Sequence, residues 1–344
     1  MSNTSPESSR EKFPANSRAM AAELAPVLRE LESSRQKSLV RIRQGQKRIA
    51  MAIIITLAVS LLLFFVSSQS SHQVRGFPFP VFIPVVIGIL FCFFTHNKYI
   101  KGHRPAYRDA YKRQVIGGMT KILYPDVIYA PARGISEPIF KQAGLYNADI
   151  DRYSCEDLFA GKVGQTEIMF SEIHAEDKRK RTNSKGKTQT YWVTIFKGIF
   201  FIADFNKNFR SWLTVKPDFA ESSFGWFGRK IQGFSPNLIR LENPDFEKAF
   251  VVHGGDQVEA RYILTPDMQE RLLTLRNYYG ADIRLSLQNS QINLTIPQSE
   301  NWFEPNINLP THEPSQMQTF IDQMRWIFGT IEALDLNTSI WSKQ

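Results

Sequence analysis

The sequence predicts an α+β protein: an N-terminal helix and a pair of apolar helices, then a mainly antiparallel sheet packed by helices. Three observations lead there. Residues 49–66 and 77–94 are two uncharged apolar runs. Residues 163–205 and 283–296 are rich in aromatic and β-branched residues, in places strictly alternating with polar ones. Capped helical segments fall between and after these strands without regular β-α-β alternation.

Each apolar run is about 18 residues, which at ~1.5 Å per residue gives ~27 Å against a hydrocarbon core of ~30 Å. The polar stretch 67–76 between them is too short to be a domain and reads as the turn of a membrane hairpin. Arg35, Lys37, Arg41, Arg43, Lys47 and Arg48 precede the first run with no acid among them. Lys98, Lys101, Arg104, Arg108, Lys112 and Arg113 follow the second, opposed by Asp109 alone, whereas the turn carries only Arg75. Lysine and arginine beside a span favour the cytoplasmic side, so both termini are expected inside. The two basic collars contribute about +6 and +5 of charge, more than the formal +9 of the whole chain. The excess therefore sits beside lipid, and no nucleic-acid partner is expected. The segment before the first run is too long for a signal-peptide n-region. Cys92 and Cys155 cannot build a disulfide framework, which suits a reducing compartment.

In chain order, residues 1–18 are polar and predicted disordered. Residues 19–48 read as a cytoplasmic helix with Leu24, Leu28, Leu31, Leu39 and Ile42 at helical spacing and Pro26 in its first turn. Arg35 and Ser38 fall on the seam that a coiled coil would need, so a helix lying on the folded domain is an equal reading. Residues 49–98 are the hairpin, with Pro84 expected to kink its second helix unless that helix begins later. Residues 99–344 form the cytoplasmic α+β domain. It opens with a helix over 104–123 and a short one between Ser136, as N-cap, and Gly144. Asn243-Pro244-Asp245 and Thr265-Pro266-Asp267 each supply an N-cap, a proline at the first helical position and a first-turn acid. Alternation through Ile283, Leu285 and Leu287, then Ile292, Leu294 and Ile296, predicts a hairpin turning at Asn289-Ser290, with one face buried and one wet. A closing helix over 314–334 aligns Met317, Phe320, Ile321, Met324, Ile327, Phe328, Ile331 and Leu334 on one stripe.

Four phrases carry a resemblance: CEDLFAGKVGQTEIMFSEIHAE (155–176), FKGIFFIADFNKNF (196–209), LENPDFEKAFVVHGGDQVEARYILTP (241–266) and FEPNI (303–307). Together they make roughly residues 106–341 similar to the bacterial membrane proteins catalogued as domain of unknown function 3137. The resemblance implies the two-span architecture in a bacterial inner membrane. It implies no mechanism, since the family has no agreed activity.

Candidate chemistry is sparse. Glu172, His174 and Glu176 alternate on one predicted strand and would share a face, where they could ligate a metal or raise the imidazole pKa. A polar strand face beside a loop explains them as well. Asp256, Glu259 and Arg261 form the densest charged phrase, with Glu259 and Arg261 on one face if the segment is extended; structural ion pairing is the plainer reading. Asp204, Asn206 and Lys207 read as a strand-ending turn. Gly161 to Thr166 lacks the spacing of a phosphate loop and reads as a turn into a strand. No nucleophile elbow, metalloprotease helix, kinase signature or paired-cysteine zinc motif is present in the sequence, and no metal or cofactor is expected. Lys178, Arg179, Lys180, Arg181, Lys185 and Lys187 crowd a segment between two strands, a basic tip suited to anionic lipid headgroups.

These readings converge on a non-enzymatic membrane protein whose cytoplasmic domain binds a protein partner or the lipid surface. A membrane-anchored hydrolase or metal-dependent enzyme is the alternative, and a homo-oligomer joined through the N-terminal helix is a third reading.

Overall fold

A computed structural model describes residues 13–69, 79–182, 184, 186–205, 209–218, 237–280, 282–334 and 336. The expected interhelical turn lies mostly outside these residues, as do Lys185, Asn206 and Lys207. The chain divides into two compact units, Met1–Val115 with Pro305–Met317, and Ile116–Glu304 with Gln318–Gln344.

The first unit is helical. Helix α1 runs unbroken over Phe13–Gln69, about 85 Å at 1.5 Å per residue. Pro26 is therefore interior to it rather than in its first turn; it is exposed, so water can take the carbonyl that its missing N–H leaves over. Helix α2, Phe79–Tyr99, already includes Pro84. The two helices pack closely at small residues. A Cβ on Gly88 would strike Thr56, and one on Gly45 would lie 2.7 Å from the Tyr99 Cβ. Arg48 Nη1 donates to the Tyr99 hydroxyl at 2.6 Å, with the guanidinium 4.6 Å from the ring centroid. Away from this seam, large apolar side chains such as Ile54, Leu57, Leu61 and Phe93 point outward, each more than 60% exposed.

Leu24, Leu28, Leu31, Arg35 and Ile42 are buried along α1. Arg35 closes a polar knot there. Its Nε and Nη2 donate to Glu32 at 2.8 and 2.6 Å, and its Nη1 donates to the Ile307 carbonyl at 2.8 Å. Glu32 also accepts from the Thr311 N–H and hydroxyl at 2.8 and 2.9 Å. The expected helix over 104–123 is three pieces: α3 (His103–Tyr111), a π-helical turn (Lys112–Ile116) and α4 (Gly117–Leu123). The irregularity comes just before Gly117-Gly118, the poorest helix formers of the stretch.

The second unit is built on a nine-stranded, wholly antiparallel sheet: β1 (Val127–Ala130), β2 (Arg152–Val163), β3 (Thr166–Thr182), β4 (Thr188–Asp204), β5 (Leu213–Pro217), β6 (Leu238–Ile239), β7 (Phe250–Gly254), β8 (Arg284–Gln288) and β9 (Gln291–Pro297), in the order β1-β2-β3-β4-β9-β8-β5-β7-β6. One row crosses every strand on one face: Tyr129, Phe159, Phe170, Phe201, Leu294, Leu285, Val215, Val252, Ile239. From Phe159 onward each member is buried. Helix α9 (Pro314–Ala333) packs its predicted stripe on this face, with Phe328 edge-on to Phe159 and Phe170. On the other face Phe196, Phe200, Ile202, Ile173 and Ala175 pack with Ile135, Phe140, Ala143 and Leu145, the last group from in and around α5 (Glu137–Gln142).

The proline-led helices form as expected. Helix α6 (Pro244–Ala249) is capped by Asn243, and α8 (Pro266–Tyr279) by Thr265 with left-handed Gly280 at its end. Between them α7 spans Gln257–Ile263. The β8–β9 hairpin turns at Asn289-Ser290, both at positive φ (54° and 57°). One expectation fails here. Thr295, Ser286 and Asn293, on the face expected to be wet, are as buried as their apolar neighbours.

Candidate functional site

The most distinctive surface feature grows directly from strand length. Strand β2 stops pairing with β3 at Arg152↔Glu176, but β3 and β4 continue together to Thr182↔Thr188. Residues 177–182 and 188–193 therefore pair only with each other among the described residues, as a two-stranded ribbon. On one of its faces Lys178 is opposite Trp192 and Lys180 opposite Thr190; on the other Arg179 is opposite Tyr191 and Arg181 opposite Gln189. Both faces thus combine cations with an aromatic ring. The rings are exposed, Tyr191 at 45% and Trp192 at 38%. Arg152 stacks 3.8 Å from the Trp192 centroid, with Lys178 Nζ at 5.8 Å. Arg179 is matched by Asp177 at 2.9 Å, and Lys187 stands at the mouth of the turn.

Glu172, His174 and Glu176 do share a face of β3, as the alternation predicts, but each is differently engaged. Buried Glu172 accepts the Trp302 N–H at 2.9 Å. His174 Nε2 lies 3.3 Å from the Thr194 hydroxyl and 3.9 Å from Glu176, whose other oxygen takes Arg152 at 2.9 Å. Asp256, Glu259 and Arg261 are not on an extended segment. Asp256 caps α7, accepting from the Val258 and Glu259 N–H groups at 2.7 and 2.8 Å. Glu259 takes the N–H groups of Arg210 and Ser211, both at 2.8 Å, while Arg261 reaches the Arg240 carbonyl at 3.5 Å. Two residues apart on a helix, Glu259 and Arg261 point in nearly opposite directions and do not pair.

A third group was missed by sequence reasoning. Carboxylate oxygens of Glu156, Asp157 and Glu304 lie within 4.8 Å of one another. A bulge between Glu156 and Phe159 turns buried Asp157 to φ 56° and aims it at the Tyr129 hydroxyl, which donates to it. Burial and the neighbouring Asp157 both hold the Tyr129 hydroxyl well above the usual phenol range. An all-oxygen set of this kind suits a hard divalent cation, although exposed acids gather at bulges without one. Both phrases that hold these residues, CED and FEPNI, stand out in the sequence; their meeting depends on a bulge that no pattern announces.

Residues 194–336 match the family described as "Protein of unknown function (DUF3137)". That agrees with the resemblance seen in the sequence and takes in three of its four phrases, the 155–176 phrase lying outside. No curated protein matches the chain. Among solved structures, the crystal structure of the mycobacterial trehalose monomycolate transport factor A, TtfA, aligns over 60% of this chain and 88% of that one, with 7% identity and a TM-score of 0.30. At that score too little backbone superposes to bear on fold or function.

Proposed function

We propose that this is a two-span protein of a bacterial inner membrane, with both termini cytoplasmic, whose sheet domain is a surface-binding module. In this reading the β3–β4 ribbon engages anionic lipid headgroups. The observation that carries the reading is the ribbon itself: Lys178, Lys180 and Trp192 on one face, Arg179, Arg181 and Tyr191 on the other, with no third strand at its edges among the described residues. A two-stranded ribbon alone is marginally stable in water, and its cost is recovered when a surface covers it. Tryptophan and tyrosine favour the headgroup layer, and each nearby cation adds about 1 kcal/mol toward an anionic leaflet.

Two helices long and apolar enough to cross a membrane support the setting. Their outward Ile, Leu and Phe side chains are what a soluble core helix would bury. The hydrolase or metal-dependent alternative is weaker. Asp256 and Glu259 each hold two backbone N–H groups, and although the Thr194 hydroxyl lies 3.3 Å from His174, Glu172 is taken by the Trp302 N–H and Glu176 by Arg152. Homo-oligomerisation through α1 is also disfavoured, because Arg35 on its seam is already bonded to Ile307 of the same chain.

The test is a fluorophore that reports polarity, attached at Gln189→Cys in full-length protein reconstituted in nanodiscs. Emission is expected to shift to the blue when phosphatidylglycerol replaces phosphatidylcholine, and to shift back at high salt or in a Lys178→Gln/Lys180→Gln/Arg181→Gln variant. Identical spectra in both lipids would remove the lipid contact.

A further inference from the structure

On the sheet face packed by α5, chemistry changes abruptly half-way across. Ile128, Ala160, Met169 and Ile202 are followed in register by Asn293, Ser286, Thr214 and His253. In the adjacent row Thr295 pairs with Arg284, and Lys216 is the next residue on β5 after the Val215↔Leu285 pair, beside Arg284. The floor is polar yet hidden: Thr295 is 0% exposed, Ser286 2%, Asn293 5% and Thr214 9%. The Ser286 Oγ is buried with no hydrogen-bond partner among the described residues, an arrangement that ordinarily costs about 1–3 kcal/mol.

Three basic side chains, two of them cationic, stand over this floor. Arg284 is held in place: Nη1 donates to the Leu145 carbonyl at 3.1 Å, and the guanidinium lies 4.4 Å from the Tyr146 ring, whose hydroxyl donates to Thr295 at 3.3 Å. Its other donors remain, and no ion pair engages Arg284, Lys216 or His253 among the described residues. Burial, and then Arg284, pull the Lys216 ammonium below its usual range; burial, and then Lys216, do the same to His253. The Lys216 and Arg284 cations repel one another where water is scarce. An anion placed between them would reverse that repulsion.

We propose that the face of β5, β7, β8 and β9 is a binding site for a phosphate-class oxyanion, with Lys216 and Arg284 supplying charge, Ser286 and Asn293 supplying donors from below, and His253 at the rim. Tetrahedral oxygens can meet donors converging from several strands, which a flat carboxylate does less well. This site is separate from the β3–β4 ribbon, so either can fail without the other.

The experiment is calorimetric titration of the full-length protein with inorganic phosphate at constant ionic strength, alongside binding to nanodiscs with and without phosphatidic acid. Saturable binding is expected, weakened about tenfold or more by Lys216→Gln or Arg284→Gln and largely kept by Lys216→Arg. Ser286→Ala removes a hydroxyl that bonds nothing among the described residues, so it is expected to fold normally and still bind more weakly. Ribbon variants at Lys178 and Lys180 are expected to leave phosphate binding unchanged. Response to both free phosphate and phosphatidic acid supports a general phosphate site; response to the discs alone that persists in the Lys178→Gln/Lys180→Gln variant and is lost in Lys216→Gln supports a lipid headgroup as the source. Absence of saturable binding in both formats, or binding indifferent to Lys216→Gln, Arg284→Gln and Ser286→Ala, would overturn the proposal.

Discussion

At the scale of single residues, Glu32 shows how one carboxylate organises a helix. Arg35 holds the Glu32 carboxyl well below the usual range; burial opposes this and the Thr311 N–H assists. Glu32 precedes the apolar stretch 49–66 on the same helix. Its contribution is present in full above the ordinary glutamate value near 4.5 and is lost as pH falls from there toward the depressed folded value. Glu32→Gln is therefore expected to lower stability at neutral pH by about 1–3 kcal/mol. The gap between variant and wild type should narrow below pH 4.5, as read by thermal melts in detergent; a gap independent of pH would contradict this role. Residue roles were only partly legible. Asn243 and Thr265 were recognised as caps because proline follows each. Asp256 caps a helix with the same geometry but is followed by Gln257 and preceded by glycines, so it read as part of an extended phrase. The Glu156–Asp157–Glu304 group joins residues nearly 150 positions apart through a bulge, and local spacing holds no trace of it.

At the scale of elements, alternation and turn chemistry exposed the β8–β9 hairpin and its turn residues, because Asn289 and Ser290 tolerate the left-handed conformation they adopt. Glycine would suit the second position better, so Ser290→Gly is expected to raise the melting midpoint, by roughly 1 kcal/mol of stability. An unchanged or lower midpoint would argue against the turn as described. The expected wet face was a reasonable inference from Ser286, Asn293 and Thr295 that proved wrong for a long-range reason. Tyr146, on the chain after α5, bonds Thr295, and the cations of β5 and β8 with His253 of β7 rise around the rest. Strands β5 and β7 escaped notice because five residues each give too little pattern, and β2 because its bulge interrupts the alternation. The 17-residue lengths of β3 and β4 are what make the ribbon; strands were expected within 163–205, but Lys178, Arg179, Lys180 and Arg181 were expected on a tip between two strands and lie instead on β3 itself.

At the scale of the whole molecule, the apolar row across nine strands and the stripe of α9 account for a stable sheet unit; the stripe and the part of the row on β3, β4, β8 and β9 were written as hydrophobic periodicity. Phe170→Ala at the centre of that row is expected to cost about 3–5 kcal/mol, measured by chemical denaturation; a loss well under 1 kcal/mol would mean the row is not the core. The helical unit is the part for which we propose a different solvent. Apolar side chains line the outside of α1 and α2, while cations gather on either side of the pair. Such a surface is costly in water and favourable in lipid. The most direct measurement is a paired reporter fusion, one copy placed after Gln344 and another between the two apolar runs, using a reporter that is active only outside the inner membrane. Activity from the inter-helix fusion and silence from the fusion after Gln344 is the predicted result. Activity after Gln344, or silence at both positions, would contradict the membrane arrangement on which the rest stands.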